Sequence, residues 1–228
     1  MQWRGANPEI EQATTATLAE RLEQITLQVA GLVPAEKRRA PEQWIEELRA
    51  SGALERILPV GAPAPDFELP DVNKQPVRSR DLLARGRLVV AFYRGRWCPY
   101  CVAELEALRD IAPGITGRGA ALVAISPQTV QQSSFTADQH ELRFPVLSDA
   151  GNRVARQFGV AASLPASLRE HYRRVFVNLQ HCNGDQSWEL PLPAVFILER
   201  DGRVLWFCER QCYKGQRALA EPFGSDVN

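Results

Sequence analysis

Cys98 and Cys101 form a C-x-x-C motif between two different sequence patterns. An apolar run over 88–93 precedes the motif, and a helical pattern over 102–108 follows it. A helix start offers unpaired N–H groups and the positive end of the helix dipole, which both favour a thiolate. The spacing puts the second sulfur one turn away on the same face, where it can close a disulfide. We therefore predict that both cysteines carry dithiol–disulfide chemistry.

Three residues beside the motif are candidate substrate-binding residues. Arg94 and Arg96 lie in the loop before the cysteines, where a guanidinium would lower a thiol pKa or polarise a peroxide oxygen. The alternative for each arginine is a solvated loop charge. Trp97 is expected to pack beside the sulfurs and shield them from water on one side. Its alternative is a simple core aromatic.

Three further cysteines, Cys182, Cys208 and Cys212, lie outside the motif. A zinc site would need a second ligand pair, such as Cys208 with Cys212 or His181 with Cys182, but that arrangement would be unusual. We favour redox chemistry and expect neither a metal nor a cofactor. Cys208 and Cys212 are either free thiols or a second redox pair that relays electrons. Cys182 is a candidate distal resolving cysteine.

The composition excludes several classes of protein. The 228 residues are 45% hydrophobic and 24% charged, with a formal net charge of zero, so nothing indicates a nucleic-acid partner or an anionic membrane. No apolar signal-peptide core occurs in the first thirty residues, and the apolar runs are too short to span a bilayer. We expect a cytoplasmic protein, in which the five cysteines would be catalytic, metal-bound or free rather than joined in structural disulfides.

Two helices are predicted near the N-terminus. Apolar residues at helical spacing predict a helix over 8–31 that ends at Pro34. A second helix is predicted over 41–50, with proline at its first position and Gly52 after its end. These helices would form an extension that precedes the main domain.

A Pro/Gly-rich linker over 59–65 marks the predicted domain boundary. We divide the chain into a helical extension over 1–56 and an α/β domain over 57–228. The later pattern predicts a β-α-β-α-β order followed by an antiparallel hairpin with a type I′ turn at Asp201-Gly202. The expected elements are a small hairpin around 67–77, strands at 88–93, 120–126, 144–147, 195–198 and 204–207, and helices at 98–109, 128–138, 152–158 and 214–221.

Several segments of this domain carry a family resemblance. They are residues 61–67, 92–101, 123–127, 144–149 and 183–191. The chain from about residue 57 onward resembles the peroxiredoxins of the alkyl hydroperoxide reductase and thiol-specific antioxidant group, in a subgroup that carries C-x-x-C. This resemblance implies a thioredoxin-like fold, with a central mixed sheet flanked by helices. It also implies an antioxidant, thiol-dependent peroxidase.

The chain departs from the peroxiredoxin pattern at two places. Peroxiredoxins carry P-x-x-x-T-x-x-C, and by that spacing Cys101 holds the position of their attacking cysteine, Cys98 that of the threonine and Arg94 that of the proline. Their arginine before a later strand falls at Pro193, where thioredoxins have a cis-proline. The resemblance thus implies a cis Pro193, which would free the backbone of Leu192 to pair with a substrate. The alternative is a trans proline that opens a strand.

The order of attack differs between the two families. Thioredoxin-like chemistry selects Cys98 as the nucleophile, whereas peroxiredoxin spacing selects Cys101. We favour Cys98 as the nucleophile and Cys101 as the resolving thiol, because thiolate stabilisation and access both fade deeper in the helix. Glu104 lies one turn after Cys101, and we favour an exposed helix residue over a proton acceptor.

The function predicted from these features is the reduction of hydroperoxides through a Cys98–Cys101 dithiol/disulfide. A small redox protein such as thioredoxin or glutaredoxin would supply the electrons. The alternatives are a thioredoxin- or glutaredoxin-like protein disulfide reductase and a non-catalytic redox sensor. A long insertion over 161–192 would form either a lid over the sulfurs or a contact in a homodimer.

Overall fold

The computed structural model describes residues 16–32 and 35–209, and this part of the chain forms nine strands and eight α-helices. The strands are β1 (Glu68–Pro70), β2 (Pro76–Arg78), β3 (Leu88–Phe92), β4 (Ala121–Ser126), β5 (Val146–Ser148), β6 (Ala161–Ser163), β7 (Glu189–Pro191), β8 (Ala194–Leu198) and β9 (Val204–Glu209). The helices are α1 (Leu18–Leu32), α2 (Ala35–Ala50), α3 (Ser79–Leu83), α4 (Pro99–Gly117), α5 (Val130–Gln139), α6 (Arg153–Gln157), α7 (Ala166–Arg174) and α8 (Leu179–Asn183).

A five-stranded mixed sheet in the order β5-β4-β3-β8-β9 forms the centre of the molecule. β3, β4 and β5 are parallel, whereas β8 and β9 add antiparallel strands at one side. Every residue of β3 is buried, as its continuous apolar sequence predicts for a central strand. The predicted α/β order and the central mixed sheet are confirmed.

The two faces of β3 belong to two separate cores. Phe92 packs with Phe158 and Phe196 on one face, with ring centroids 5.1 and 6.0 Å away. On the other face, Tyr93 follows the strand and lies in the core that contains Cys98 and α4. Because successive side chains along a strand point to opposite faces, Phe92 and Tyr93 lie in different cores. The helix with the two cysteines packs on the face of Tyr93.

The N-terminal helices differ from their predicted bounds. α1 ends at Leu32, and residues 8–15 and Pro34 lie outside the described residues. α2 contains Pro41 and begins six residues earlier than predicted, because residues 35–40 are Ala, Glu, Lys and Arg, which are all strong helix formers. Trp44 then anchors α2 by donating its indole N–H to the carbonyl of Ser163 at 3.2 Å. The division between 1–56 and 57–228 stays a prediction.

The turn between β8 and β9 is not the predicted type I′ turn. That turn needs a positive φ at both central residues, and only Gly202 has one, at 82°. Gly202 donates its N–H to the carbonyl of Glu199, and Glu199 donates to Arg203, both at 2.8 Å. The side chain of Asp201 accepts the N–H of Arg203 at 3.0 Å. This hydrogen bond stabilises a turn in which Gly202 alone has a left-handed backbone.

The insertion over 161–192 holds regular structure that the sequence did not predict. β6 and β7 form a small antiparallel sheet, and α7 and α8 lie between them in the chain. Both strands have three residues, too few to show a periodic pattern.

The hairpin of β1 and β2 is confirmed, and the helix predicted over 214–221 lies outside the described residues. Among the described helices, none has the length and apolar character needed to cross a membrane.

Candidate active site

Cys98 is the N-cap residue of α4, so its sulfur lies at the positive end of that helix. The Cys98 sulfur accepts the backbone N–H of Cys101, with 3.4 Å between nitrogen and sulfur. Pro99 occupies the first helical turn, where its missing N–H costs no helix hydrogen bond. The sequence prediction of a C-x-x-C at a strand-to-helix junction is therefore confirmed in its local structure.

The loop before Cys98 is held in a close turn around Gly95. The N–H of Cys98 bonds the carbonyl of Gly95 at 3.1 Å. Gly95 has a φ of 152°, and a Cβ there would meet the indole nitrogen of Trp97 at 2.6 Å. Gln128, at the end of β4, accepts the N–H of Arg96 at 3.1 Å through its side-chain oxygen. Glycine is required at this position, and Gln128 ties the loop to the sheet.

The two thiols are both buried, with 3% exposure for Cys98 and 0% for Cys101. Burial raises the pKa of Cys98. Three other influences outweigh burial and lower this pKa to about 6: the hydrogen bond from the Cys101 thiol, the charge of Arg94 and nearby backbone N–H groups. Burial, then the hydrogen bond to Cys98 and its negative charge, raise the pKa of Cys101 well above its usual value. The surroundings of the pair therefore favour ionisation of Cys98 over ionisation of Cys101.

The two arginines of the loop lie in different environments. The charge of Arg94 acts on both thiols, and Arg94 also shares a hydrogen bond with the hydroxyl of Tyr172. Arg96 turns toward α5, where its Nε donates to Gln132 at 3.0 Å and its guanidinium lies 5.9 Å from the ring centre of Phe135. The structure therefore brings Arg94 to the sulfurs and places Arg96 against α5.

An aromatic pair covers the site. Trp97 contacts Tyr172 of α7 edge to face, with ring centroids 5.0 Å apart. Tyr172 is only 6% exposed; burial raises its pKa to about 12, and the charges of Arg94 and Cys98 also act on its hydroxyl. Sequence reasoning missed Tyr172, whose only signal was its position in a long insertion. The insertion thus contributes a side chain to the surroundings of Cys98.

The predicted cis peptide bond at Pro193 is absent. No cis bond occurs in the described residues, so Pro193 is trans, and the prediction is wrong. The N–H of Leu192 donates to the carbonyl of Val160 at 2.7 Å and is not free to pair with a substrate. Pro193 directly precedes β8, where a trans proline opens the strand at no cost in ladder hydrogen bonds.

Glu104 is buried, with 6% exposure, so the expectation of an exposed helix residue is wrong. It lies three residues after Cys101, on the same side of α4, and its charge contributes to the raised pKa of Cys101. This helix side packs into the core beside β3, which explains the burial. A negative charge thus lies close to the Cys101 thiol.

The remaining described cysteines lie outside the pair. Cys182 is half-buried on α8, and burial raises its pKa although Arg96 opposes this. Cys208 lies on β9 opposite Val195. Cys212 lies outside the described residues. Within the described part of the chain, no three Cys, His, Asp or Glu side chains are grouped to hold a metal ion.

The mixed sheet and the cysteine-capped helix that follows its central strand define a thioredoxin-like thiol oxidoreductase. The AhpC/TSA family profile matches residues 60–207, and the chain belongs to this family. The predicted resemblance to the peroxiredoxins is confirmed.

Individual relatives agree with this family. A putative peroxiredoxin of Mycobacterium tuberculosis is 38% identical over 112 residues, which cover 49% of this chain and 73% of that protein. A crystal structure of a peroxidoxin from the same organism superposes with a TM-score of 0.56 and 28% identity, covering 68% of this chain and 88% of that one. A thiol-disulfide oxidoreductase of Bacillus anthracis is 23% identical over 147 residues, which cover 64% of this chain and 67% of that protein. The protein is a peroxiredoxin-like, thiol-dependent oxidoreductase.

Proposed function

We propose that the protein reduces hydroperoxides with Cys98 as the attacking thiolate and Cys101 as the resolving thiol. The placement of Cys98 carries this proposal: its sulfur lies at the N-cap of α4 and accepts the backbone N–H of Cys101. There the Cys101 thiol, the charge of Arg94 and backbone N–H groups lower the pKa of Cys98, whereas burial raises the pKa of Cys101. The attacking thiol needs to be ionised at neutral pH, whereas the resolving thiol needs to ionise only when it attacks the oxidised sulfur. The two sulfurs divide these roles.

In the first step the Cys98 thiolate attacks one peroxide oxygen. A sulfur–oxygen bond forms, the O–O bond breaks, and the leaving oxygen takes up a proton to become an alcohol or water, while Cys98 becomes a sulfenic acid. Arg94 supports this step because its charge already acts on the sulfur. The indole N–H of Trp97 is buried without a hydrogen-bond partner among the described residues. We assign both as donors to the peroxide oxygens, in place of the threonine and arginine of other peroxiredoxins.

In the second step Cys101 attacks the oxidised sulfur of Cys98. A disulfide forms, the sulfur–oxygen bond breaks, and the hydroxyl leaves as water with a proton. Conversion of the Cys98 thiolate to a neutral sulfenic acid removes one cause of the raised pKa of Cys101, so this thiol ionises more readily after the first step. Glu104 is the proposed acceptor of its proton. A protein dithiol such as thioredoxin or glutaredoxin then returns the pair to the reduced state.

Access to the pair requires a movement, since both sulfurs are buried. Trp97 packs against the core that holds them and contacts Tyr172 of α7. We propose that α7 acts as a lid that opens to admit the peroxide and the reductant.

We also propose a cytoplasmic location, a homodimer, and a division of the chain into an extension over 1–56 and a domain over 57–228. They rest on the sequence alone.

A second candidate function is the reduction of protein disulfides. The thioredoxin-like position of Cys98 and its low pKa favour this function, because a thiolate at a helix start also attacks disulfides. The trans Pro193 and the occupied N–H of Leu192 weaken it, since the expected backbone contact to a peptide substrate is missing. We therefore favour peroxide reduction.

Parallel turnover assays on the full chain test this choice. We expect hydroperoxide consumption with dithiothreitol as the reductant, and slower reduction of insulin disulfides. Cys98→Ser should remove peroxide turnover, while the control Cys182→Ser retains it. Insulin reduction without peroxide consumption would establish the second function. The absence of both activities would favour a redox sensor.

A further inference from the structure

An exposed phenylalanine lies at the end of the lid. Phe176 follows α7 and is 96% exposed, and its neighbour Val175 is 37% exposed. Single apolar side chains on a surface are common, so exposure alone carries no meaning. Phe176, however, is four residues from Tyr172, whose ring contacts Trp97 and whose hydroxyl feels the charge of Cys98. The exposed side chain therefore belongs to the turn that holds the lid in place.

The backbone of this turn does not favour phenylalanine. Phe176 has a φ of 59°, in the left-handed region, and the N–H of Val177 donates to the carbonyl of Tyr172 at 3.0 Å. Phe176 follows the C-cap residue Val175, and glycine usually fills this left-handed position after a helix because a Cβ is strained there. Phe176 thus adds backbone strain and exposes its ring to water. A contact with another molecule would offset both costs.

Two basic residues precede Phe176 at the end of α7. The side chains of Arg173 and Arg174 are 61% and 65% exposed, and both pair with the same acid, Glu170. Two positive charges therefore face one negative charge at the end of α7. This surface complements a partner that has an apolar patch with an acidic rim.

We propose that Phe176 and the basic end of α7 are the docking surface for the protein dithiol that reduces the Cys98–Cys101 disulfide. The proposal rests on the proposed peroxidase function, which forms that disulfide. The partner's thiolate attacks one sulfur, so that a mixed disulfide forms and the other cysteine leaves as a thiolate. The partner's second thiol then displaces the remaining cysteine, and two electrons have passed from the partner to the pair.

Docking at Phe176 also explains how a large reductant reaches a buried disulfide. Phe176 and Tyr172 share one turn, so a partner that holds Phe176 acts on the segment covering Trp97. A small dithiol does not need this surface, because it only requires spontaneous opening of the lid. The two kinds of reductant should therefore respond differently to changes at Phe176.

The test compares two reductants during peroxide turnover by the full chain. The probes are a bacterial thioredoxin, kept reduced by its reductase and NADPH, and dithiothreitol. Phe176→Gly should lower kcat/KM for thioredoxin about tenfold, which corresponds to 1.4 kcal/mol of lost docking. The rate with dithiothreitol should be unchanged, and Tm should rise by about 2–4 °C because the backbone strain is relieved. Phe176→Leu should retain most of the thioredoxin rate, since it keeps an apolar side chain.

Leu27→Ala provides the matched control, because Leu27 is 67% exposed on α1 and should not alter either rate. An unchanged thioredoxin rate in Phe176→Gly would overturn the docking proposal. An equal fall in the rates with thioredoxin and with dithiothreitol would also overturn it, because the substitution would then act on the lid alone. Loss of a dimer without loss of the thioredoxin rate would assign the surface to a second copy and also overturn it. Absence of peroxide turnover with dithiothreitol in the wild type would refute the peroxidase function itself.

Discussion

The start of α4 and the short helix α8 each carry a cysteine, and the two thiols ionise differently. Burial raises the pKa of both Cys98 and Cys182. At Cys98 the thiol of Cys101, the charge of Arg94 and backbone N–H groups outweigh burial, whereas the charge of Arg96 does not outweigh it at Cys182. Burial alone therefore makes an unreactive thiol. Reactivity comes from the donors and the cation that the fold directs at one sulfur.

The largest expected effect comes from removing the cation at the start of α4. Arg94→Ala should lower the second-order rate with hydroperoxide by about a hundredfold, because a charge that stabilises the thiolate and the leaving oxygen is lost. The pKa of Cys98 should rise above about 6 in the same variant. Stopped-flow peroxide kinetics and thiolate absorbance against pH measure the two quantities.

Arg96→Ala is the matched comparison for this variant. Its guanidinium lies on α5, so the rate should fall at most about fivefold. Equal losses in Arg94→Ala and Arg96→Ala would contradict the separate environments of the two arginines.

The pH dependence should follow the ionisation of Cys98. A thiol with a pKa of about 6 is mostly thiolate at pH 7 and mostly protonated at pH 5, so the peroxide rate should fall about tenfold between these values. The rate should stay level from pH 7 to 8. A rate that keeps rising above pH 8 would instead identify a thiol with a raised pKa, such as Cys101, as the nucleophile.

A smaller effect is expected from the hydroxyl of the lid tyrosine. Tyr172→Phe keeps the ring contact with Trp97 but loses the hydrogen bond to Arg94, so the peroxide rate should fall about three- to tenfold. The pKa of Cys98 should move upward as Arg94 becomes less well placed. A structural role of the ring alone would leave both quantities unchanged in Tyr172→Phe and alter them only in Tyr172→Ala.

The smallest effect is expected on α8. Cys182→Ser should change the peroxide rate less than about twofold, because this thiol has a raised pKa and lies outside the proposed pair. Liquid chromatography with mass spectrometry of the oxidised protein should find Cys182 as a free thiol. A disulfide that joins Cys182 to Cys98 would give Cys182 the distal resolving role and remove the contrast between the two regions.

The sequence predicted the parts that depend on local pattern. The buried strand β3, the helix that begins after Cys98 and the small hairpin of β1 and β2 follow from apolar runs, a C-x-x-C and turn residues. The prolines predicted the structure less well, because proline also occurs outside the positions that it prefers. Pro41 lies inside α2 although a helix start was predicted there, and Pro193 is trans although the resemblance implied cis.

The sequence did not predict contacts between distant segments. Tyr172 meets Trp97 across 75 positions of the chain, and no spacing rule connects them. The burial of Glu104 likewise depends on how α4 packs on the sheet. Such features arise from tertiary packing, which a local pattern does not record.

Sulfenic acid trapping most directly tests the claim that Cys98 attacks the peroxide. Cys101→Ser is treated with one equivalent of hydroperoxide in the presence of dimedone, and the modified peptide is located by mass spectrometry. We predict rapid addition of dimedone to Cys98 and no sulfenic acid on Cys101 in the converse Cys98→Ser variant. A rapid adduct on Cys101 in Cys98→Ser, together with an unreactive Cys101→Ser, would contradict the account and reverse the order of attack.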